Sequence, residues 1–173
     1  MEVEWRPFYL YFDTPPEGRE LPEHVKRARA HGSEERLRQI ADSYGMEFVS
    51  TKRIYNTRLA HEATEYARRY GKGNEFHKVV FRKVYAEGQD PSQWEVLRSA
   101  AEEVGLDADE MQREVEAEKY MATVVDQVRW AYQIGVTGVP TYVINNRYAI
   151  VGAQPYEVFQ SALEQIERDK TDE

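Results

Sequence analysis

The chain has 173 residues, 23 Lys+Arg against 31 Asp+Glu, a formal net charge of −8 and no cysteine. That length suits one domain, or one domain carrying an insertion, and can bury a core without help from metal or disulfide. The missing cysteines exclude disulfides, thiolate nucleophiles, Cys-ligated zinc and iron–sulfur clusters, and the acidic balance argues against nucleic acid or anionic lipid as partners.

Residues 3–12, Val-Glu-Trp-Arg-Pro-Phe-Tyr-Leu-Tyr-Phe, are dense in aromatic and β-branched side chains and predict a strand. Pro7 cannot donate to a ladder, so it marks a strand start, a bulge or an edge. Asp13-Thr-Pro-Pro-Glu-Gly18 then predicts a turn-rich loop. From about residue 22 to 134 the pattern is helical. Leu37, Ile40, Ala41 and Tyr44 repeat at helical spacing behind a Ser33 cap, and Leu59, Ala63, Tyr66, Ala67 and Tyr70 follow Asn56. Phe76, Val79, Val80, Val84 and Tyr85 form a third apolar face, closed by Gly88. Asp90-Pro91-Ser92-Gln93 predicts a helix start with Asp90 as cap, and Asp107-Ala-Asp-Glu110 repeats that logic. The stretch 107–134 is too long for one typical helix, and a division near Lys119 is expected. Thr141-Tyr-Val-Ile144 and Tyr148-Ala-Ile-Val151, joined by Asn145-Asn146-Arg147, predict a hairpin. Gln154-Pro155 opens a last helix with Val158, Phe159, Ala162, Leu163 and Ile166 facing inward.

Few of the familiar chemical motifs are present. Gly71-Lys72-Gly73 lacks the spacing of a phosphate loop, and Gly135-Val-Thr-Gly138 lacks the third glycine of a dinucleotide fingerprint. His61 and Glu65 stand at i,i+4, but two donors do not make a metal site. The pairs Glu34-Glu35 and Glu102-Glu103 read as surface, and no serine sits on a strand-to-helix elbow. No catalytic residue, no metal and no cofactor is expected. The strongest local signal is the proline that enters a strand after a glycine-flanked turn, Gly138-Val-Pro-Thr141. Only about 5–6% of X–Pro bonds are cis, so composition alone leaves Val139–Pro140 trans.

The run Gly135-Val-Thr-Gly-Val-Pro-Thr-Tyr-Val-Ile144, continued by Asn-Asn-Arg-Tyr-Ala-Ile-Val-Gly-Ala-Gln-Pro155, resembles the C-terminal half of DsbA-type thioredoxin-fold proteins. The FrnE-like branch, described as predicted dithiol-disulfide isomerases, is the most similar. Trp5-Arg-Pro-Phe8, Pro15-Pro-Glu-Gly18, Asn56-Thr57 with Ala60-His61, and Gly105-Leu106-Asp107 match that branch too, so the resemblance covers nearly the whole chain. It implies an α/β thioredoxin-like fold, mostly helical because of a large helical insertion. Residues 1–21 would be a thioredoxin-fold strand and loop, 22–122 the insertion, and 123–173 the closing helix, β-hairpin and C-terminal helix. It also implies a cis bond at Val139–Pro140 and a substrate-binding loop of Thr137, Gly138, Val139 and Pro140. An extended peptide or small-molecule ligand would bind there, by strand addition in the first case.

Members of that family begin with a strand, a Cys-x-x-Cys-type motif and a helix. This chain begins at the segment matching Trp5-Arg-Pro-Phe8, so the N-terminal β–α unit is expected to be missing, as in a truncated member. Thiol–disulfide exchange needs a thiolate, which this oxidoreductase-family chain does not carry. The absent strand would lie between residues 3–12 and 141–144. Unpaired sheet edges and exposed apolar side chains are therefore expected, relieved by a homodimer or by strand sharing with another chain. Two other classes compete: a non-redox isomerase or glutathione-transferase-like relative, and a non-catalytic binding or assembly module. No apolar run approaches membrane length, and residues 1–5 lack a signal peptide's character, so the cytoplasm is the expected location.

Overall fold

In the computed structural model, which describes residues 2–171, the chain forms two units, Met1–Val128 and Arg129–Glu173. Residues 1, 172 and 173, the outer ends of the expected segments 1–21 and 123–173, lie outside the described residues. The first unit holds β1 (Arg19–Glu20), α1 (Glu23–Ala30), α2 (Ser33–Ser43), β2 (Arg53–Ile54), α3 (Arg58–Arg69), α4 (Gly73–Tyr85), α5 (Trp94–Glu103) and α6 (Ala108–Glu116). Helix α7 (Met121–Gln133) begins in the first unit and ends in the second. It is followed by β3 (Thr141–Ile144), β4 (Tyr148–Val151) and α8 (Tyr156–Thr171).

The apolar stripe of α3 organises the first core. Ala63, Tyr66 and Ala67 are buried against Phe76 of α4, Leu97, Ala100 and Ala101 of α5, and Met111 and Val115 of α6. Alanines keep the helix surfaces narrow where they meet, and the large side chains fill the remaining space. Each of Phe76, Leu97 and Met111 contributes about 1.5–3 kcal/mol by leaving water. Tyr66 keeps its hydroxyl satisfied by donating to Glu110 Oε2 at 2.8 Å. Asp107 caps α6 as its sequence predicts, accepting from the Glu110 amide at 2.8 Å. The long helical stretch does divide: α6 ends at Glu116, and Glu118 sits at φ 55° in the turn before α7.

Several expectations fail locally, the Ser33 cap among them, since Gly32 stands at the N-cap of α2 and no side chain caps it. Residues 3–12 form no strand; the first strand is β1, paired antiparallel with β2 in the register Arg19↔Ile54. A strand needs a ladder partner, and here side chains take that role. Arg68 donates to the Trp5 carbonyl at 2.5 Å, Asn74 donates to the Val3 carbonyl at 3.3 Å, and the Trp5 ring stacks on His77 at 4.2 Å. Helix α5 begins at Trp94 rather than Pro91. Asp90 spends its carboxylate on the Ser92 amide and hydroxyl, closing a turn that precedes the helix. The α2 stripe forms but does not face a core, because α1 is the element packed against it and α1 buries nothing. Ala41 alone of that stripe is buried, and Leu37, Ile40 and Tyr44 stay exposed.

In the second unit β3 and β4 pair antiparallel with Tyr142 opposite Ile150 and Ile144 opposite Tyr148. Asn145 and Asn146 both take φ 54°, the left-handed conformation that a tight hairpin turn requires and asparagine tolerates. Helix α8 covers one hairpin face: Phe159 meets Tyr142 edge-on at 4.8 Å, and Tyr148 donates to Asp169 at 2.9 Å. Ile166 is the buried anchor of that helix, whereas Val158 remains exposed.

Candidate functional site

The loop that enters β3 is built from the end of α7. Gly135 takes φ 84° and donates to Tyr132 O at 3.0 Å, and the next amide, Val136, reaches back to Ala131 O at 2.9 Å. That pair of bonds ends the helix on a left-handed residue, a position glycine fills at the least cost. Thr141 Oγ1 donates to Gly138 O at 2.8 Å and ties the loop to the start of the strand. Between them, the Val139–Pro140 peptide bond is cis. The cis geometry is invisible to composition; the family resemblance is what points to it.

All four expected binding residues are consecutive, so the structure keeps them together. Thr137, Val139 and Pro140 are exposed and Gly138 is half-buried. Pro140 O accepts from Gly152 N at 2.8 Å, which extends the β3–β4 ladder by one pair on the side facing β4. By the alternation of an antiparallel ladder, the amides and carbonyls of Thr141 and Val143 then point away from β4. Among the described residues, the Val139 amide and carbonyl make no hydrogen bond. The loop and the β3 edge together present a short run of open backbone groups.

The hairpin face opposite α8 borders a shallow depression of about 280 Å³. Trp130, Ile134 and Thr137 line it from the α7 end, with Thr141, Val143 and Val151 from the hairpin. Of the expected binding residues only Thr137 reaches it. Trp130 was not singled out from the sequence; a tryptophan in the last turns before a glycine-stopped helix was the available signal.

In the first unit the His61–Glu65 pair is not made. His61 meets the Thr57 hydroxyl at 3.1 Å and the Tyr9 ring at 5.2 Å, whereas Glu65 pairs with Arg68 at 3.6 Å. Burial, and to a lesser degree His77, lowers the His61 pKa to about 4. Burial and then Arg68 lower His77 to about 4 as well. Both imidazoles are therefore neutral at pH 7. Next to His61, Glu62 is fully buried with neither carboxylate oxygen hydrogen-bonded. No feature of the sequence marks it out from Glu65, the other acid of α3.

A mostly helical α/β chain whose C-terminal hairpin is entered through a cis proline is of the thioredoxin-like class. The chain is a member of the DsbA-like family: the family model of the DSBA-like thioredoxin domain matches residues 1–164. It is 30% identical over 173 residues to the uncharacterized protein YwbO of Bacillus subtilis (strain 168), an alignment spanning 98% of this chain and 84% of that one. Among solved structures it is similar to the probable DsbA oxidoreductase SCO1869 from Streptomyces coelicolor. The two share 30% identity and a TM-score of 0.71 over 79% of this chain, which spans 60% of that structure's chain. A 2-hydroxychromene-2-carboxylate isomerase matches with a TM-score of 0.73 at 22% identity, over 88% of this chain and 74% of the isomerase. That second likeness is one of fold. The fold is accordingly the thioredoxin-like fold of the DsbA family, mostly helical, with two small sheets among the described residues. No helix among the described residues is long and apolar enough to cross a membrane.

Proposed function

We propose that this chain is a cytoplasmic, FrnE-like member of the DsbA family that holds an extended peptide at Thr137, Gly138, Val139 and Pro140 and performs no thiol–disulfide exchange itself. The carrying observation is the open backbone of Val139 at the start of β3. An amide and a carbonyl without intramolecular partners, continuous with a strand edge, are the groups by which an incoming strand gains affinity. Exchange, in contrast, requires a thiolate both to attack and to leave, and the sequence has none.

The absence of a thiol also favours a second reading, a cysteine-independent isomerase or glutathione-transferase-like relative. Amide-shift titrations of the isotopically labelled chain separate the two. An unstructured peptide is expected to shift the Val139 and Thr141 amides. Shifts produced by glutathione or an aromatic carboxylate, with none from peptides, would replace the first reading by the second. No shift with any of the three defeats both.

A further inference from the structure

Glu62 is buried in the first unit without a hydrogen bond to its carboxylate. Its side chain is fully inaccessible, both oxygens lack a hydrogen-bond donor, and the nearest cation, Arg58 Nε, stands 3.6 Å away. That guanidinium is shared: its Nη1 lies 3.4 Å from Glu118 Oε1 in the turn between α6 and α7. Glu118 is itself unusual. It accepts the left-handed conformation at φ 55°, where glycine would be the least strained choice, and closes α6 through the bonds Glu118 N to Val115 O and Lys119 N to Glu114 O. One guanidinium therefore stands between a buried carboxylate with no other partner and a carboxylate on a strained turn.

We propose that Glu62, Arg58 and Glu118 form a proton-operated latch. A neutral Glu62 leaves Arg58 to Glu118 and holds the α6–α7 turn to α3; an ionised Glu62 draws the guanidinium inward and loosens that turn. A proton is the ligand because no larger species reaches a side chain with no accessible surface. Burial raises the Glu62 pKa, Arg58 opposes it and Glu118 adds to it.

Besides this pair, one further titratable group among the described residues is coupled to Glu62. From the N-terminal segment, Tyr9 is the group coupled to it, and its hydroxyl is pushed up to about 12 by burial and by Glu62. On α4 His77 stacks on Trp5 and Lys83 donates to Ser99, and on α5 Arg98 pairs with Asp109. From α6, Glu110 takes the Tyr66 and Tyr70 hydroxyls and Glu114 pairs with Lys119.

Two measurements on the full chain test the latch: carboxyl-carbon NMR of labelled glutamate, and amide exchange of residues 117–121 corrected for intrinsic rate. Between the acid and the alkaline end of a pH titration, the Glu62 carbon is expected to titrate above the ordinary carboxylate range, and protection of the turn to fall several-fold as it does. In Glu62→Gln that loss of protection disappears. In Glu118→Gln the turn is loose at both ends of the titration while Glu62 still titrates high, which separates the latch from simple burial. A Glu62 carbon that titrates in the ordinary range, or not at all over the interval, overturns the proposal. So does a pH dependence of protection that survives in Glu62→Gln.

Discussion

His61 and His77 give the first unit an acid-side weakness that single substitutions can expose. Each has a folded-state pKa near 4 against an ordinary value of 6.5. The folded chain thus refuses protons that the unfolded chain takes up as pH falls below 6.5. Stability is unaffected above that value, declines between 6.5 and about 4, and levels off below. His77→Phe should keep the stack on Trp5, whose ring lies 4.2 Å from the imidazole, and remove one of the two protonation sites. Urea unfolding at about pH 7 and about pH 4.5 is expected to show an acid loss smaller by roughly 1 kcal/mol in the variant. An acid loss equal to that of the parent chain would show that His77 is not a contributor. Residue-level chemistry of this kind was only partly legible in the sequence. The i,i+4 spacing correctly put His61 and Glu65 on one helix, but their neighbours, Thr57 and Arg68, decided what they bond. The burial of Glu62 was not legible at all, because the packing of α3 in the folded unit removes it from water.

Helical stripes of the same period meet opposite fates here, and mutational cost should follow the fate rather than the pattern. Phe76 is fully buried among α3 to α6, so Phe76→Ala is expected to cost about 3–5 kcal/mol. Leu37 belongs to an equally regular stripe but is 51% exposed, so Leu37→Ser should change stability by no more than about 0.5 kcal/mol. Denaturant midpoints of the two variants measure the contrast directly, and comparable losses would mean that α2 is covered in solution. The capping signal at Asp107 was readable and is formed, so Asp107→Ala is expected to cost about 1 kcal/mol in the same assay. The near-identical signal at Asp90 misled, because there the carboxylate serves a turn outside the helix. Local sequence names the partners a cap can use, and the path of the chain selects among them. The two-residue bridge of β1 and β2 is the extreme case, since nothing in Arg19-Glu20 or Arg53-Ile54 announces a pairing across 32 intervening residues.

On the scale of the whole molecule, the sheet is what the chain leaves unfinished. Strands β3 and β4 form a two-stranded ladder, and neither has another strand on its outer edge among the described residues. A lone hairpin is marginal in water, and exposed edges pair with whatever strand arrives. Apolar side chains cluster at these edges: Val139, Tyr142 and Val151 are all substantially exposed, Val151 at 61%. The expected strand at residues 3–12 cannot be counted as the missing neighbour, because side chains of α3 and α4 hold that segment as non-strand backbone. Self-association through shared strands is the outcome expected of such an edge. Sedimentation velocity should show the chain shifting to larger species as concentration rises. A charge on the edge is a general means of preventing such pairing. Val151→Lys, at an exposed position that fills no core, should leave the helical circular dichroism unchanged and move the association midpoint to at least about tenfold higher concentration, roughly 1.4 kcal/mol. A monomer at every concentration would show that the edges are protected in solution. Association unaltered by Val151→Lys would move the contact away from β4, and the exposed Leu37, Ile40 and Tyr44 stripe of α2 would be the next surface to substitute.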